Sequence, residues 1–288
     1  MLLDGKKTAA AIRAELRETV TRLSAQVGRA PGLAVILVGE NPASAVYVRN
    51  KERACLDVGI ISETFRLPVE TPQAALEECL DALNARDDVD GILLQLPLPG
   101  ALDSQSCLMR ILPRKDVDGF HPENMGKLAL GLPGLRPCTP AGVMTLLARH
   151  NLSLNGKKAV VVGRSNIVGK PLALMLSAPG KAANATVTLC HSGTADLASE
   201  CRNADFLFLA LGRPRFITGD MVKKGAVVVD VGINRTENGL CGDADFATVS
   251  EKASYLTPVP GGVGPMTIAQ LLVNTVQAYK NHNGIALA

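Results

Sequence analysis

The chain has 288 residues and a formal net charge of +3, with Lys and Arg interspersed among Asp and Glu. This length favours two domains, and the lack of a basic stripe with aromatic residues argues against nucleic acid as a partner. No apolar run approaches the ~20 residues that cross a bilayer, and the first residues lack an apolar signal core. We therefore expect a cytoplasmic protein without membrane association.

The cysteines and histidines give no sign of a disulfide framework or a metal site. Seven cysteines are scattered along the chain without C-x-x-C spacing, and the four histidines show no spacing typical of metal ligands. We predict no metal centre.

Helical and strand patterns alternate along the chain, which predicts an α/β fold with largely parallel sheets. In the amino-terminal half the predicted helices cover residues 8–26 and 41–58 and a third segment that Thr71 caps. The predicted strands there cover residues 33–38, 63–67 and 91–96. Glycine and proline are dense between residues 113 and 140, which predicts an irregular segment that lines a cleft, followed by a domain boundary.

The carboxy-terminal half has the pattern of a nucleotide-binding unit. Strands are predicted near residues 159–162, 186–190, 205–209 and 226–231. A final helix over about 265–279 follows a glycine-rich loop. Because the sheet is complete without this helix, we expect it to pack back on the first domain.

A glycine-bounded turn after Val162 predicts a phosphate site. Gly163 and Gly169 allow the backbone to turn and to approach a ligand, and Pro171 suits the first turn of the following helix. Free amides at such a helix start attract anions. With only two glycines the turn is not the standard dinucleotide fingerprint, and an ordinary strand-to-helix connection would also explain it.

The residues after the second strand of this unit favour NADP over NAD. NAD enzymes usually place an acid there to bind the ribose, whereas this chain has Ser192. Arg164 in the preceding turn can pair with a ribose 2′-phosphate.

Four features outside this turn could carry chemistry, and each has a plain structural alternative. Tyr47 and Lys51 share one helix face, although a helical lysine is usually a solvated surface residue. Gln95 interrupts an apolar strand and needs a polar partner. Asp116 and Asp118 resemble turn formers. The glycines of residues 260–265 permit close approach to a ligand but also suit a helix entry.

Six short motifs, which span most of the chain, resemble the bifunctional methylenetetrahydrofolate dehydrogenase/cyclohydrolase family. They are Tyr47-Val-Arg-Asn-Lys51, Gln95-Leu-Pro-Leu-Pro99, Lys115-Asp-Val-Asp-Gly-Phe120, Pro137-Cys-Thr-Pro140, Gly163-Arg-Ser-Asn-Ile-Val-Gly-Lys-Pro171 and Pro260-Gly-Gly-Val-Gly-Pro265. The resemblance implies an α/β folate domain (residues 1–139) completed by the carboxy-terminal helix (265–288), a Rossmann-type NADP domain (140–264), a cleft between them and a homodimer.

The resemblance also implies two reactions of one-carbon metabolism, which supplies purine biosynthesis. NADP-linked oxidation converts 5,10-methylenetetrahydrofolate to the 5,10-methenyl form, which is then hydrolysed to 10-formyltetrahydrofolate. Two alternatives stay open. One is a monofunctional or NAD-linked dehydrogenase of the same family, and the other is a non-catalytic nucleotide-binding regulator.

Site roles follow from the same resemblance. Lys51 would be the general acid/base, Gln95 would contact it, Tyr47 would pack on the folate and Asp118 would hold the pterin. A partly desolvated lysine can be neutral enough to act as a base. Gly261 and Gly262 would border folate and nicotinamide. The residues implied to contact NADP are Gly163, Arg164, Ser165, Ser192 and Ile233. Gly193 departs from many relatives, which carry a larger or basic residue there.

Overall fold

The computed structural model describes residues 1–237 and 239–285, with residue 43 described by its backbone only. Residues 286–288 of the predicted carboxy-terminal segment lie outside this description. The α-helices are α1 (Gly5–Val27), α2 (Pro42–Val58), α3 (Gln73–Ala85), α4 (Ser104–Arg110), α5 (Pro122–Ala129), α6 (Cys138–Arg149), α7 (Gly169–Ser177), α8 (Leu197–Arg202), α9 (Phe246–Ser250) and α10 (Val263–His282). The strands are β1 (Gly32–Val38), β2 (Ile61–Leu67), β3 (Gly91–Leu94), β4 (Lys158–Val162), β5 (Thr186–Cys190), β6 (Phe206–Leu209), β7 (Val227–Asp230), β8 (Asn234–Thr236), β9 (Gly239–Cys241) and β10 (Tyr255–Leu256).

The chain packs into two compact units. The three-stranded unit consists of Ala11–Cys138 and the chain from Ile268 onward, and the five-stranded unit consists of Met1–Ala10 and Thr139–Thr267. None of the described helices is long and apolar enough to cross a membrane.

The three-stranded unit is a parallel sheet, in the order β2-β1-β3, with helices on both faces. All seven residues of β1 are buried, and successive side chains of a strand point to opposite faces. Leu33, Val35 and Leu37 join a core with α1, α2 and α10. The alternate residues of β1 join a second core with α3 and α4. Because β1 and β3 run parallel, their carboxyl ends lie at the same edge of the sheet.

The five-stranded unit is a parallel sheet in the order β10-β7-β6-β4-β5. The chain passes from β4 outward to β5 and then returns to β6 on the other side of β4, so the strand order reverses between β4 and β6. In open α/β sheets, ligands bind beyond the carboxyl ends of the strands at such a reversal. At the far edge, Leu3 N donates to Leu256 O at 2.9 Å, which adds the first residues of the chain beside β10.

The predicted α/β fold with parallel sheets is confirmed, and several local predictions need correction. Thr71 does not cap α3: its hydroxyl donates to Pro68 O, and Pro72 occupies the cap position. The segment between residues 113 and 140 is not wholly irregular, because it contains α5. There, Pro122 stands in the first turn and the His121 ring accepts from Glu123 N. β3 ends at Leu94, so Gln95 follows the strand rather than interrupting it.

Candidate functional site

The amine of Lys51 and the amide of Gln95 are in direct contact. Lys51 Nζ donates to Gln95 Oε1 at 3.0 Å, and Gln95 Nε2 donates to Leu96 O at 2.7 Å. The backbone of Gln95 is fixed by its bond to Ile36 O on β1. Lys51 is 9% exposed, so it is not the solvated surface lysine that its helical position alone would suggest. Tyr47 lies one turn earlier on α2 and is partly exposed.

Asp118 lies close enough to Lys51 for their charges to interact. Burial raises the pKa of the Asp118 carboxyl, and the positive charge of Lys51 acts in the opposite direction. Asp118 is half-buried by surface area. Its backbone carbonyl accepts from Cys138 N at 3.2 Å, which ties this loop to the start of α6. The structure thus brings together Lys51, Gln95 and Asp118 from three parts of the sequence.

Asp116 and Lys115 have structural partners. The Asp116 carboxylate accepts from Gly119 N, His121 N and Asn124 Nδ2, which is the behaviour of a turn former. Lys115 Nζ donates to three backbone carbonyls at the end of α3. Within this motif, Asp118 is therefore the acid left for chemistry.

Asn274 on α10 is a residue of this site that sequence reasoning missed. Its Nδ2 donates at 2.8 Å to both Val117 O and Arg136 O, so it holds the backbone on either side of the Asp118–Cys138 contact. The sequence signal is weak, since an Asn in a helix is usually exposed. Its separation of 157 residues from Val117 gives no local pattern.

The glycines of the predicted phosphate turn are required by the backbone itself. Gly163 has φ +125°, and a Cβ there would lie 2.2 Å from Ala210 O. A Cβ on Gly169 would lie 1.9 Å from Gly163 O. Gly163 therefore stands where the loops after β4 and β6 meet, at the reversal of strand order.

Ser165 closes this turn onto α7. Its hydroxyl accepts from Val168 N at 3.1 Å and Gly169 N at 3.4 Å, and its carbonyl accepts from Lys170 N. The first amides of the helix, which we expected to be free for an anion, are thus occupied. The exposed guanidinium of Arg164 has neither a hydrogen bond nor an ion pair within the described part of the chain, and it is available to a phosphate.

Ser192 follows β5, the strand that pairs with β4 in parallel register from Lys158 to Val162. The carboxyl ends of these strands share one edge, so Arg164 and Ser192 follow the same end of the sheet. The turn is closed by His191, whose ring Nδ1 accepts from Gly193 N at 3.0 Å. No carboxylate stands in this turn.

Ile233 and the glycines of the last loop lie at other positions of the same unit. Ile233 follows β7 and is 43% exposed. Gly261 O accepts from Lys6 N at 2.9 Å, and a Cβ on Gly5 would lie 1.7 Å from Gly262 O. The close approach of the first helix therefore requires a glycine at position 5, whereas Gly262 is confined by Pro258 O, which would lie 2.6 Å from its Cβ.

The side chains offer no cluster for a metal. In residues 1–237 and 239–285, no group of three or more His, Cys, Asp and Glu is arranged to hold an ion.

Comparison with known proteins agrees with this geometry. The family profile described as tetrahydrofolate dehydrogenase/cyclohydrolase, catalytic domain, matches residues 3–118. The profile for the NAD(P)-binding domain of the same family matches residues 137–283. The bifunctional protein FolD of Nitratidesulfovibrio vulgaris strain DP4 is 73% identical over 284 residues, which cover 99% of both chains.

Two solved structures resemble the whole chain. One is the bifunctional methylenetetrahydrofolate dehydrogenase/cyclohydrolase FolD of Campylobacter jejuni, with 51% identity and a TM-score of 0.94, covering 98% of this chain and 99% of that one. The other is the Trypanosoma brucei enzyme complexed with NADP cofactor and inhibitor, with 38% identity and a TM-score of 0.92, covering 98% and 97%. The chain belongs to the tetrahydrofolate dehydrogenase/cyclohydrolase family.

Proposed function

We propose that this chain oxidises 5,10-methylenetetrahydrofolate to the 5,10-methenyl form with NADP and hydrolyses that product to 10-formyltetrahydrofolate. The observation that carries the proposal is the contact of the buried Lys51 amine with Gln95. It places an amine near Asp118, in the stretch that matches the family's catalytic domain. Relatives with the bifunctional name match over nearly the whole chain.

In the folate half of the site, Asp118 binds the pterin and orients it. A carboxylate can accept two hydrogen bonds from the amino and ring N–H groups of a pterin. Tyr47, one helical turn from Lys51, packs on the folate. Folate binding belongs to residues 1–139 with the carboxy-terminal helix.

Lys51 acts as the general base and then the general acid of hydrolysis. Water adds to the methenyl carbon and loses a proton to the Lys51 amine. The lysine then returns this proton to N5 as the bond between N5 and the carbon breaks, and the hydroxyl of the adduct loses its own proton to solvent, which leaves the formyl group on N10. Gln95 holds the amine in place through the bond to its side-chain oxygen.

The five-stranded unit has residues that fit NADP, and cofactor binding belongs to residues 140–264. Gly163 lets the turn after β4 pack against Ala210 at the reversal of strand order, where ligands bind in such sheets. The guanidinium of Arg164, which is unpaired within the described residues, suits a 2′-phosphate. Ser165, Ser192 and Ile233 complete the cofactor contacts, and Gly261 and Gly262 border folate and nicotinamide. When bound, NADP accepts the hydride that leaves the methylene carbon.

The test is a spectrophotometric assay of the purified protein with methylenetetrahydrofolate and either NADP or NAD, followed by decay of the methenyl absorbance. We expect methenyl formation with NADP and subsequent loss of the methenyl signal at a rate above that of buffer. Formation without accelerated decay would indicate a monofunctional dehydrogenase. Equal rates with both cofactors would refute the NADP assignment, and no turnover at all would support a regulator.

We also propose a cytoplasmic homodimer. All seven cysteines are free thiols, as is usual in a reducing compartment. β2 is an edge strand, and its first residue, Ile61, is 65% exposed, while Leu56 of α2 is 80% exposed. An unpaired strand edge that begins beside exposed apolar side chains offers a surface for pairing with a second copy.

A further inference from the structure

Two buried carboxylates of the five-stranded unit bond to the loops that follow β6 and β7, which we call the cofactor loops. Asp230 ends β7 and Asp243 follows the β8–β9 hairpin, and they are 3% and 0% exposed. They fit together because two neighbours are glycines. A Cβ on Gly242 would lie 2.0 Å from Asp230 Oδ2, and one on Gly232 would lie 2.3 Å from Asp243 Cγ.

Asp243 fixes the loop that follows β6. Its Oδ2 accepts from Leu211 N at 2.6 Å and from Gly212 N at 3.1 Å, and its Oδ1 accepts from Arg213 N at 2.8 Å. The side chain of Asn234 adds a fourth bond at 2.9 Å. Three consecutive amides are thus gathered on one carboxylate, which fixes the course of this loop.

Asp230 fixes the loop that follows β7 and also the position of Asp243. Its Oδ1 accepts from Gly232 N at 2.9 Å and from Asp243 N at 3.1 Å, and its Oδ2 accepts from Ala244 N at 2.8 Å. Asp230 therefore also acts on the β6 loop indirectly, because it holds the backbone of Asp243, whose side chain bonds to that loop.

Both loops border the reversal of strand order. The β6 loop begins at Ala210, whose carbonyl lies against Gly163, and the β7 loop carries the exposed Ile233. We propose that Asp230 and Asp243 are positioning residues for NADP, which act by fixing residues 211–213 and 231–234 without reaching the cofactor themselves. This rests on the proposed NADP-linked function.

Asp230 makes this arrangement sensitive to pH. Burial raises the pKa of Asp230 to about 6, the charge of Asp243 adds to this, and the amides of Ala244, Asp243 and Gly232 oppose it. The cationic side chains of the adjoining loop, Arg213 and Arg215, are exposed. A proton on the Asp230 carboxyl would occupy an oxygen that now accepts a hydrogen bond from a backbone amide. NADP affinity should therefore weaken as the pH falls through about 6.

The first experiment measures NADP binding to Asp243→Asn by isothermal titration calorimetry, which suits a chain without tryptophan. The NH2 group of the asparagine would face at least one backbone N–H, so that at least one hydrogen bond to the β6 loop is lost. We expect the Kd and KM for NADP to rise at least about tenfold. The kcat at saturating NADP and the rate of methenyl hydrolysis should stay within about twofold, since Lys51, Gln95 and Asp118 lie in the other unit.

The matched control is Asp245→Asn. Asp245 also accepts a backbone amide, from Thr248, but it caps α9 and holds neither cofactor loop. The Asp245→Asn variant should bind NADP as tightly as the wild-type protein. If Asp243→Asn does not fold, Asn234→Ala removes one bond to Asp243 and should raise the NADP Kd about threefold. A folded Asp243→Asn, or in its absence Asn234→Ala, with unchanged NADP affinity would overturn the proposal.

The second experiment compares NADP affinity from pH 7.5 to 5.5 in the wild-type protein and in Asp230→Asn. The 2′-phosphate itself titrates near pH ~6, as phosphate monoesters do, and contributes equally to both profiles. We expect a steeper loss of affinity at low pH in the wild-type protein. Superimposable profiles would remove Asp230 from the proposal. If wild-type protein does not bind NADP, the proposed function itself fails, which is a separate result.

Discussion

The partner of the Lys51 amine is a neutral amide and not a carboxylate. At the scale of single residues this choice matters, because an amide positions the amine without adding a charge that would favour one protonation state. Asp118 supplies a negative charge that interacts with Lys51 without a hydrogen bond to it, and its backbone carbonyl accepts from Cys138 N at the start of α6. The arrangement suits a lysine that takes up and releases a proton in each turnover.

Lys51→Met should reduce methenyl hydrolysis at least about a hundredfold, because acid–base catalysis typically contributes that much or more. Hydride transfer needs no proton shuttle, so part of the dehydrogenase activity should remain. Both steps are followed in one preparation. Arg53→Met is the control, since Arg53 is an exposed cation on the same helix. Retained hydrolysis in Lys51→Met would exclude this role.

Gln95→Ala should change the pH profile of methenyl hydrolysis, because the bond to Lys51 and the hydration of the amine both change. If the two side chains act as a unit, the double variant should lose little more hydrolysis than Lys51→Met alone. The measurement is a double-mutant cycle across pH. Fully additive losses with an unchanged profile would mean that Gln95 has no influence on the lysine.

Arg164→Ala should weaken NADP at least about tenfold and leave NAD nearly unchanged, because a charged contact to phosphate contributes about 1.5–3 kcal/mol. Binding of both cofactors is measured by calorimetry. Lys157→Ala is the control, because Lys157 is exposed and precedes β4 at the opposite edge of the sheet. An equal loss for NADP and NAD would show that Arg164 does not contact the 2′-phosphate.

At the scale of elements, α10 contributes to the folate half through one side chain. Asn274 holds the backbone carbonyls of Val117 and Arg136, which shortly precede Asp118 and Cys138 in sequence, and the apolar residues of α10 pack in the same core as β1. The helix therefore both completes the core and fixes the loop that carries Asp118, the proposed pterin ligand.

Asn274→Leu should lower the free energy of unfolding by about 2 kcal/mol or more, since two buried carbonyls lose their partner. It should also raise the KM for folate in both reactions and leave NADP binding unchanged. Chemical denaturation and steady-state kinetics measure the two effects. Gln277→Leu is the control, because within the described residues the Gln277 amide bonds to Asn281 of the same helix and to no other element. Unaltered folate kinetics in a folded Asn274→Leu would contradict the positioning role.

The sequence predicts those elements that a local pattern of residues is sufficient to form. β1 and β4 were predicted because their apolar runs are sufficient to mark buried strands. β10 has two residues and exists only through pairing with β7 and the first residues of the chain, so no local pattern indicates it. The Lys51–Gln95 contact was expected from the family resemblance, whereas Asp230, Asp243 and Asn274 act over separations that no short motif records.

At the scale of the whole molecule, the proposed second copy would cover the apolar surface around Leu56 and Ile61. Ile61→Lys should shift the protein toward monomer, because a lysine on an exposed edge strand disfavours pairing. Light scattering after size exclusion measures the molar mass. Met109→Lys, at a similarly exposed position on α4, is the control. A dimer that survives Ile61→Lys unchanged would place the interface elsewhere.

The pairing of the first residues with β10 has a consequence for protein engineering. Residues 139–267 look portable as one continuous stretch, yet the unit they form also uses Leu3 beside Leu256 and Gly5 against Gly262. Transplanted alone, this stretch would expose the backbone edge of β10, which favours aggregation. A portable cofactor-binding module would therefore need residues 1–10 joined to Thr139 by a new linker.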